Sequence, residues 1–391
     1  MRRCWLAALV WALALGPAGG GIARAQDDGV TEDSILFGQS AAFSGPTGLL
    51  GTDYRAGVLA AFAEANARGG VHGRRLDLLS LDDGYEPEEA INNTHRLLDE
   101  ERVFALIAYV GSPTARATVP IAAAQDVPFV APLTGAAFLR DELWTNVVNL
   151  RASYAQEMAE IVERLVLDLG IVRIGVLYQD DSFGLAGLTG VEDALAKRGL
   201  TTVARTVYPR NTLAVKTGIL ELREADPQAV LLIGAYSPVA TAVAWSRHLG
   251  MDPVFATTSF VGGNALIDRL RSFGQFGLYV TQVIPSPTSD SLAARQFRRA
   301  MAAHSSGVKP GFVSFEGYLA GRLAIEGLER SGQAVDRVVF LENLLDGEPF
   351  NLGGVRLRFS ERRNQGSDRV YVNLIAENGQ IRTVQTLAED P

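Results

Sequence analysis

The sequence predicts an α/β protein of two similarly built lobes, each a parallel sheet flanked by helices. Short β-type runs alternate with longer helical ones along most of the 391 residues, the mark of strand–helix units that pair as parallel sheets. One stretch recurs at a constant offset of 125 residues: Ser112-Pro113 returns as Ser237-Pro238, Ala115 as Ala240, Ala117 as Ala242, Pro128 as Pro253, Ala131 as Ala256 and Thr134 as Ser259. Composition is ordinary, 47% hydrophobic and 20% charged, which excludes disorder, collagen and coiled coil.

The first 25 residues differ in kind. Arg2 and Arg3 give a positive start, residues 5–15 are an unbroken apolar run, Pro17 and Gly19 to Gly21 break it, and Ala23-Arg24-Ala25 offers a small-x-small cleavage site before Gln26. This is the pattern of a cleavable secretory signal peptide, residues 1–25, and predicts a periplasmic product. The run is too short to span a bilayer, and no later segment reaches the ~18 apolar residues a spanning helix needs. Cys4 is the one cysteine, so beyond the leader disulfides, thiolate metal sites and a cysteine nucleophile are all excluded.

From Ser34 the elements follow in order. Residues 35–37 form a strand that leads through a glycine-punctuated loop into a helix. Its buried face is Tyr54, Val58, Ala61, Phe62 and Ala65, and Gly69-Gly70 stops it. Leu76, Leu78 and Leu81 lie in the next strand. Pro87 with Glu88 and Glu89 opens a second helix, a proline in the first turn and acids at the positive end, with Ile91, Thr94 and Leu98 facing inward. Strands follow at 104–109, 127–131, 173–178, 229–233 and 254–257, with helices between. Residues 355–359 and 369–375 read as a terminal hairpin or a pair of late strands.

Open parallel sheets bind ligands beyond the carboxyl ends of their strands. Those loops are 44–52, 111–114 and 132–136 in the first lobe, and 179–184, 235–237 and 258–262 in the second. Ser112 and Thr114 sit at a helix start, where hydroxyls and free N–H groups can hold a carboxylate; capping of their own helix is the alternative reading. Thr134 and Gly135 add a hydroxyl and bare backbone. Phe183, Tyr236 and Phe260 would wall the facing side.

Catalytic signatures are missing. There is no G-x-S-x-G, H-E-x-x-H or Walker pattern, and His72, His95, His248 and His304 lack metal-ligand spacing. The chain is therefore expected not to be an enzyme and to need no metal or cofactor. Asp82-Asp83 and Asp180-Asp181 each follow a strand and read as caps and turn formers; an exported enzyme using Asp180 and Asp181 or the loop hydroxyls is the alternative. Acids outnumber bases 44 to 36, a net charge of −8, so no nucleic-acid partner is expected.

Phe43-Ser44-Gly45-Pro46, Gly69-Gly70-Val71-His72-Gly73-Arg74, Asp82-Asp83-Gly84-Tyr85-Glu86-Pro87 and Gly111-Ser112-Pro113-Thr114 resemble the periplasmic binding proteins of ABC importers, in the leucine/isoleucine/valine-binding class. The likeness continues through Tyr178-Gln179-Asp180-Asp181-Ser182-Phe183-Gly184 and Gly234-Ala235-Tyr236-Ser237-Pro238 to Glu316-Gly317-Tyr318. The resemblance implies two Rossmann-like lobes joined by three crossover strands near Asn149, near residues 279–282 and near residues 369–372. The first lobe would comprise 30–149 plus 280–368 and the second 150–279 plus 369–391. It also implies a small-molecule ligand trapped by hinge closure and handed, by a monomer, to an ABC permease in the inner membrane. A ligand sensor of the same fold is the other reading.

In that class a serine and a small-residue loop hold the ligand's carboxylate and ammonium, and these positions match Ser112, Leu133 and Gly135. The second-lobe aromatics match Phe183 and Tyr236, and a first-lobe aromatic becomes Leu50. Tyr85, after the Asp82-Asp83 turn, either faces the cleft or packs against it. Where the class carries an acid for the ammonium, this sequence has Ser259, and a ligand-touching threonine is Gly135 with Thr134 beside it. A buried ammonium without a charge partner costs several kcal/mol, so a carboxylate, an amide or another uncharged molecule fits better than a free amino acid unless Asp180, Asp181 or Glu316 supplies the charge.

Overall fold

The computed structural model describes residues 28–305 and 307–388; the predicted signal peptide lies outside them. Eight elements make the first unit: β1 (Ser34–Ala41), α1 (Gly48–Asn66), β2 (Arg75–Asp82), α2 (Pro87–His95), β3 (Ala105–Ile107), α3 (Ser112–Ala124), β4 (Phe129–Val130) and β5 (Val147–Val148). The chain then passes to α4 (Tyr154–Leu169), β6 (Ile174–Gln179), α5 (Ser182–Ala196), β7 (Ala204–Tyr208), α6 (Lys216–Ala225), β8 (Ala229–Ile233), α7 (Tyr236–His248), β9 (Val254–Thr257), α8 (Gly263–Phe273) and β10 (Leu278–Gln282). It returns for α9 (Leu292–His304), α10 (Phe312–Ser331), α11 (Arg337–Leu345) and a small hairpin, β11 (Phe350–Leu352) with β12 (Val355–Leu357), and ends in β13 (Tyr371–Ile375) and β14 (Ile381–Thr383).

The first sheet has strand order β2-β1-β3-β4-β5 and is parallel throughout. The second runs β14-β13-β10-β9-β8-β6-β7. From β7 to β10 it repeats the first sheet's order in parallel, and β13 and β14 extend it antiparallel. Two α/β lobes of one topology result, and the 125-residue repeat superimposes β3-α3-β4 on β8-α7-β9.

The late segment departs from expectation. Val355–Leu357 pairs with Phe350–Leu352, and Tyr371–Ile375 pairs with β10, so the two late runs do not form a hairpin with each other. In the second helix Ala90 and Thr94 are buried while Ile91 is only half-buried. A π-helical turn over Arg96–Glu100 follows, and it carries both Leu97 and Leu98 inward.

The returning helices complete the first lobe. Phe340 of α11 packs on Phe104 with ring centroids 5.4 Å apart, and α9 and α10 lie along α1. Side chains are stripped from the α1–α10 crossing: a Cβ on Gly57 would overlap the Ser314 carbonyl, and one on Gly317 the Tyr54 carbonyl. In the second lobe α4 starts from a capping box, Ser153 with Gln156, and stops at Gly170 in the left-handed conformation. The crossing segments touch each other: Asn149 N donates to Asn364 O at 2.7 Å, and Gly366 N donates to Asn149 O at 2.8 Å.

Candidate functional site

Parallel strands of both lobes end facing one another, and the loops there carry every predicted site residue, all of them buried. Gly111, at φ 105°, turns the chain from β3 into α3. Ser112 then meets Thr134, their hydroxyl oxygens 2.7 Å apart and both side chains fully buried. Thr114 does not join them; its hydroxyl donates back to Val110 O at 2.6 Å, the helix-start role. Leu133 bridges to Val110 through backbone and is buried.

Gly135 has a physical reason to be glycine. A Cβ there would strike the backbone and ring of Tyr154, so the tyrosine at the start of α4 occupies the space a larger residue would need. Tyr154 in turn packs on Phe183 at 5.2 Å, Phe183 on Phe260 at 4.6 Å, and Phe260 on Tyr85 at 6.0 Å. Tyr85 therefore faces the cleft, its ring filling the room that Gly111 leaves free of a side chain. At the rim, Leu49 N approaches the Tyr236 hydroxyl at 3.5 Å, and Leu50 covers Gly262.

Three residues the sequence reading missed or underweighted sit at the centre. Arg151, in the segment between β5 and α4, has no exposed surface; its guanidinium donates to Ser259 Oγ and lies 3.7 Å from Glu157 and 3.4 Å from Glu316. Glu157, also fully buried, accepts from Ser259 N at 2.8 Å, Ser259 Oγ at 2.9 Å and Thr281 Oγ1 at 2.5 Å. Glu316 arrives from α10 of the other lobe. Burial pushes the Glu316 carboxyl above the ordinary range, against the pull of Arg151. Burial works against charge on Arg151 too, but Glu316 and Glu157 outweigh it and hold the guanidinium ionised.

This corrects the reading of Ser259. Carboxylates do stand at that position, supplied by α4 and α10, and Ser259 is engaged by Glu157 and Arg151. Glu316 is one of the three acids named as substitutes; Asp180 is exposed, and Asp181 caps α5 through Phe183 N and Gly184 N. Arg151 already ion-pairs with both carboxylates and supplies their counter-charge. The usable signal was a charge on a buried stripe: Glu157 falls among Tyr154, Met158 and Ile161, and Glu316 among Phe312, Phe315 and Leu319.

The cluster leaves hydrogen-bonding capacity unused. Arg151 Nε and Nη1, the Tyr154 hydroxyl, Thr258 Oγ1 and Glu316 Oε1 are buried without a hydrogen-bond partner among the described residues. The Tyr154 hydroxyl lies beside Thr134 and the Gly135 backbone without reaching bonding geometry to either. Buried donors of this kind ask for an acceptor. Among the described residues no group of three or more His, Cys, Asp or Glu is arranged to hold a metal, and no helix is long and apolar enough to cross a membrane. A cavity of about 970 Å³ bounded by Arg247, Met251, Phe276 and Tyr279 opens at the opposite, amino-terminal ends of β9 and β10 and takes no part in this site.

Residues 34–380 match the family model described as periplasmic binding protein. The chain belongs to this family. Its members are extracytoplasmic binding proteins, not enzymes, and the two-lobed fold agrees. A periplasmic binding protein fold with TM-score 0.84 and 35% identity occurs in the crystal structure of a possible leucine/isoleucine/valine-binding protein from Rhodopirellula baltica SH 1, covering 90% of this chain and 96% of that one. Leu/Ile/Val-binding protein homolog 7 of Brucella abortus (strain 2308) is 29% identical over 205 residues, 50% of this chain. The match spans about half of that relative, 51%. Homolog 8 of the same strain is 24% identical over 370 residues and covers 90% of both chains.

Proposed function

We propose that this periplasmic binding protein is the solute receptor of an ABC importer, exported through a cleavable leader of residues 1–25 and working as a periplasmic monomer. Two lobes, residues 30–149 plus 283–368 and 150–282 plus 369–391, with β10 kept whole in the second, close on a small molecule and present it to a permease in the inner membrane. The names of the Brucella and Rhodopirellula relatives, Leu/Ile/Val-binding proteins, support branched-chain-like solutes.

The ligand we infer is a carboxylate with an apolar body and no ammonium. One observation carries this: Arg151 Nη1 and the Tyr154 hydroxyl are buried without a hydrogen-bond partner, while both nearby carboxylates are already ion-paired with Arg151. Phe183, Phe260 and Tyr85 supply the apolar wall. An ammonium buried there would lack a free counter-charge, at several kcal/mol.

The test compares thermal stabilisation of the exported chain by L-leucine and by 4-methylpentanoate, the same skeleton without the amino group. Ligand at ~100 times its Kd adds about 2.7 kcal/mol. Stabilisation by the deaminated acid alone is the expected result. Leucine alone would show that Glu316 or Glu157 accepts an ammonium after all, and silence from both would remove the branched-chain-like carboxylate.

A further inference from the structure

We infer that Arg210 and Asn211, on the loop after β7, are positioning residues that clasp the lobes together and set Tyr85 over the cleft without themselves touching the solute. The inference rests on the cleft-capture reading above. The observations begin with the turn at residues 82–87, where β2 leads into α2. Asp82 Oδ1 accepts from Phe43 N at 2.8 Å and Gly84 N at 3.0 Å, and Asp83 Oδ1 accepts from Tyr85 N at 2.8 Å. The turn is thereby built to hold Tyr85 at φ 66°, a left-handed conformation that a bulky side chain avoids unless its surroundings impose it.

The second lobe supplies that imposition. Arg210 Nη2 donates to Glu86 Oε2 at 2.6 Å, while Asn211 Nδ2 donates to Glu86 Oε1 at 2.7 Å and to Gly84 O at 2.9 Å. Both residues flanking Tyr85 are therefore held from across the cleft. Arg210 also lies 3.7 Å from Asp181, so it sits between one acid of each lobe. Gln179 Nε2 reaches the Tyr85 hydroxyl at 3.3 Å, and Gln179 Oε1 accepts from Tyr208. Every one of these bonds except those within the turn or within the second lobe spans the two lobes and must break when they part. None of Arg210, Asn211 and Glu86 lies in the ring stack or the Arg151 cluster, so the clasp reaches the solute site only through Tyr85.

The single cysteine, Cys4, makes this measurable on the full chain. With Cys4→Ser, and spin labels on Asn92→Cys of α2 and Glu221→Cys of α6, pulsed electron resonance reads the distance between lobes. Without solute the parent should show a long, open distance together with a short, closed one. Glu86→Gln combined with Asn211→Ala should raise the ratio of long to short distances about five-fold, as expected for losing roughly one net hydrogen bond's worth of closure. In a double-mutant cycle Asn211→Ala should open the lobes less in a Glu86→Ala background than in the parent, a coupling that a merely structural role would not show. Distributions of Glu86→Gln, Asn211→Ala and Arg210→Lys that superimpose on the parent would overturn the inference. Because no solute enters this experiment, it can fail or succeed whichever way the leucine and 4-methylpentanoate comparison falls. Glu88→Gln, exposed at the start of α2 and outside both the clasp and the solute site, should leave the distances unchanged.

Discussion

Arg151 is locked among charges from both lobes, and its removal should be felt far more than a surface ion pair. Arg151→Met leaves Glu157 and Glu316 buried beside each other without a cation. Breaking a buried pair in this way typically costs 3–5 kcal/mol, so its urea midpoint should fall steeply, and adding Glu316→Gln should restore part of the loss. Full stability in Arg151→Met would refute the ionised cluster. Asp83 makes a pH-dependent prediction. Buried and bonded to Ser40 and Tyr85 N, its carboxyl is pushed up to about 6, chiefly by desolvation. The folded state thus binds the proton more tightly than the unfolded chain. Stability from this group is highest below about pH 4, falls as pH rises toward 6 and is flat beyond, a drop of about 2–3 kcal/mol. Burial also raises Asp53 to about 6, which adds a fall in the same window. Asp83→Asn keeps the acceptor for Tyr85 N, and its stability measured from pH 4 to 7 should lack Asp83's share of the decline; an unchanged slope would remove Asp83 as its source. Ser112, Thr134, Phe183 and Phe260 were legible in the sequence because each occupies a strand-end loop. Arg151 was not, since nothing local distinguishes a charge that will be buried by a partner more than a hundred positions away.

Elements were easier to read than contacts between them. Periodicity located α1, β2, α2, β6, β8 and β9, and the Ser-Pro repeat marked equivalent units because both copies solve the same strand-to-helix turn. A two-residue strand such as β5 carries too little pattern, and β7 alternates exposed and buried residues beside a polar loop. The destination of the late strands was illegible for another reason: β13 pairs with β10 nearly a hundred positions earlier, and a hairpin is the local alternative that the sequence also satisfies. The α1–α10 crossing gives an element-scale test. Gly57→Ala would normally favour a helix by about 1 kcal/mol, but here its Cβ would overlap the Ser314 carbonyl. Overpacking of about 1–3 kcal/mol should dominate, so Gly57→Ala should lower the melting temperature. A rise would mean that the two helices separate freely.

At the scale of the molecule, each lobe is discontinuous in sequence, and the lobes are tied by three passages of chain and by the Arg151 cluster. The first sheet is covered by α10 and α11, which follow β10 of the second sheet, so neither lobe can complete its core until the chain has crossed back. Unfolding one lobe would break the Arg151–Glu316 pair and expose Glu157, leaving buried charge uncompensated in the lobe that remained. The two lobes should therefore lose structure together in spite of having separate sheets. Trp144 lies in the first lobe and Trp245 in the second, and beyond the leader they are the only tryptophans. Each can be observed alone in Trp245→Phe and Trp144→Phe versions of the exported chain. Once the small stability change of each substitution is subtracted, the two fluorescence transitions in urea should coincide. Arg151→Met with Glu157→Gln and Glu316→Gln removes the charge coupling while leaving the chain passages intact, and there the transitions should separate. Separate midpoints in the parent chain would show that covalent passage and buried charge are too weak to couple the lobes.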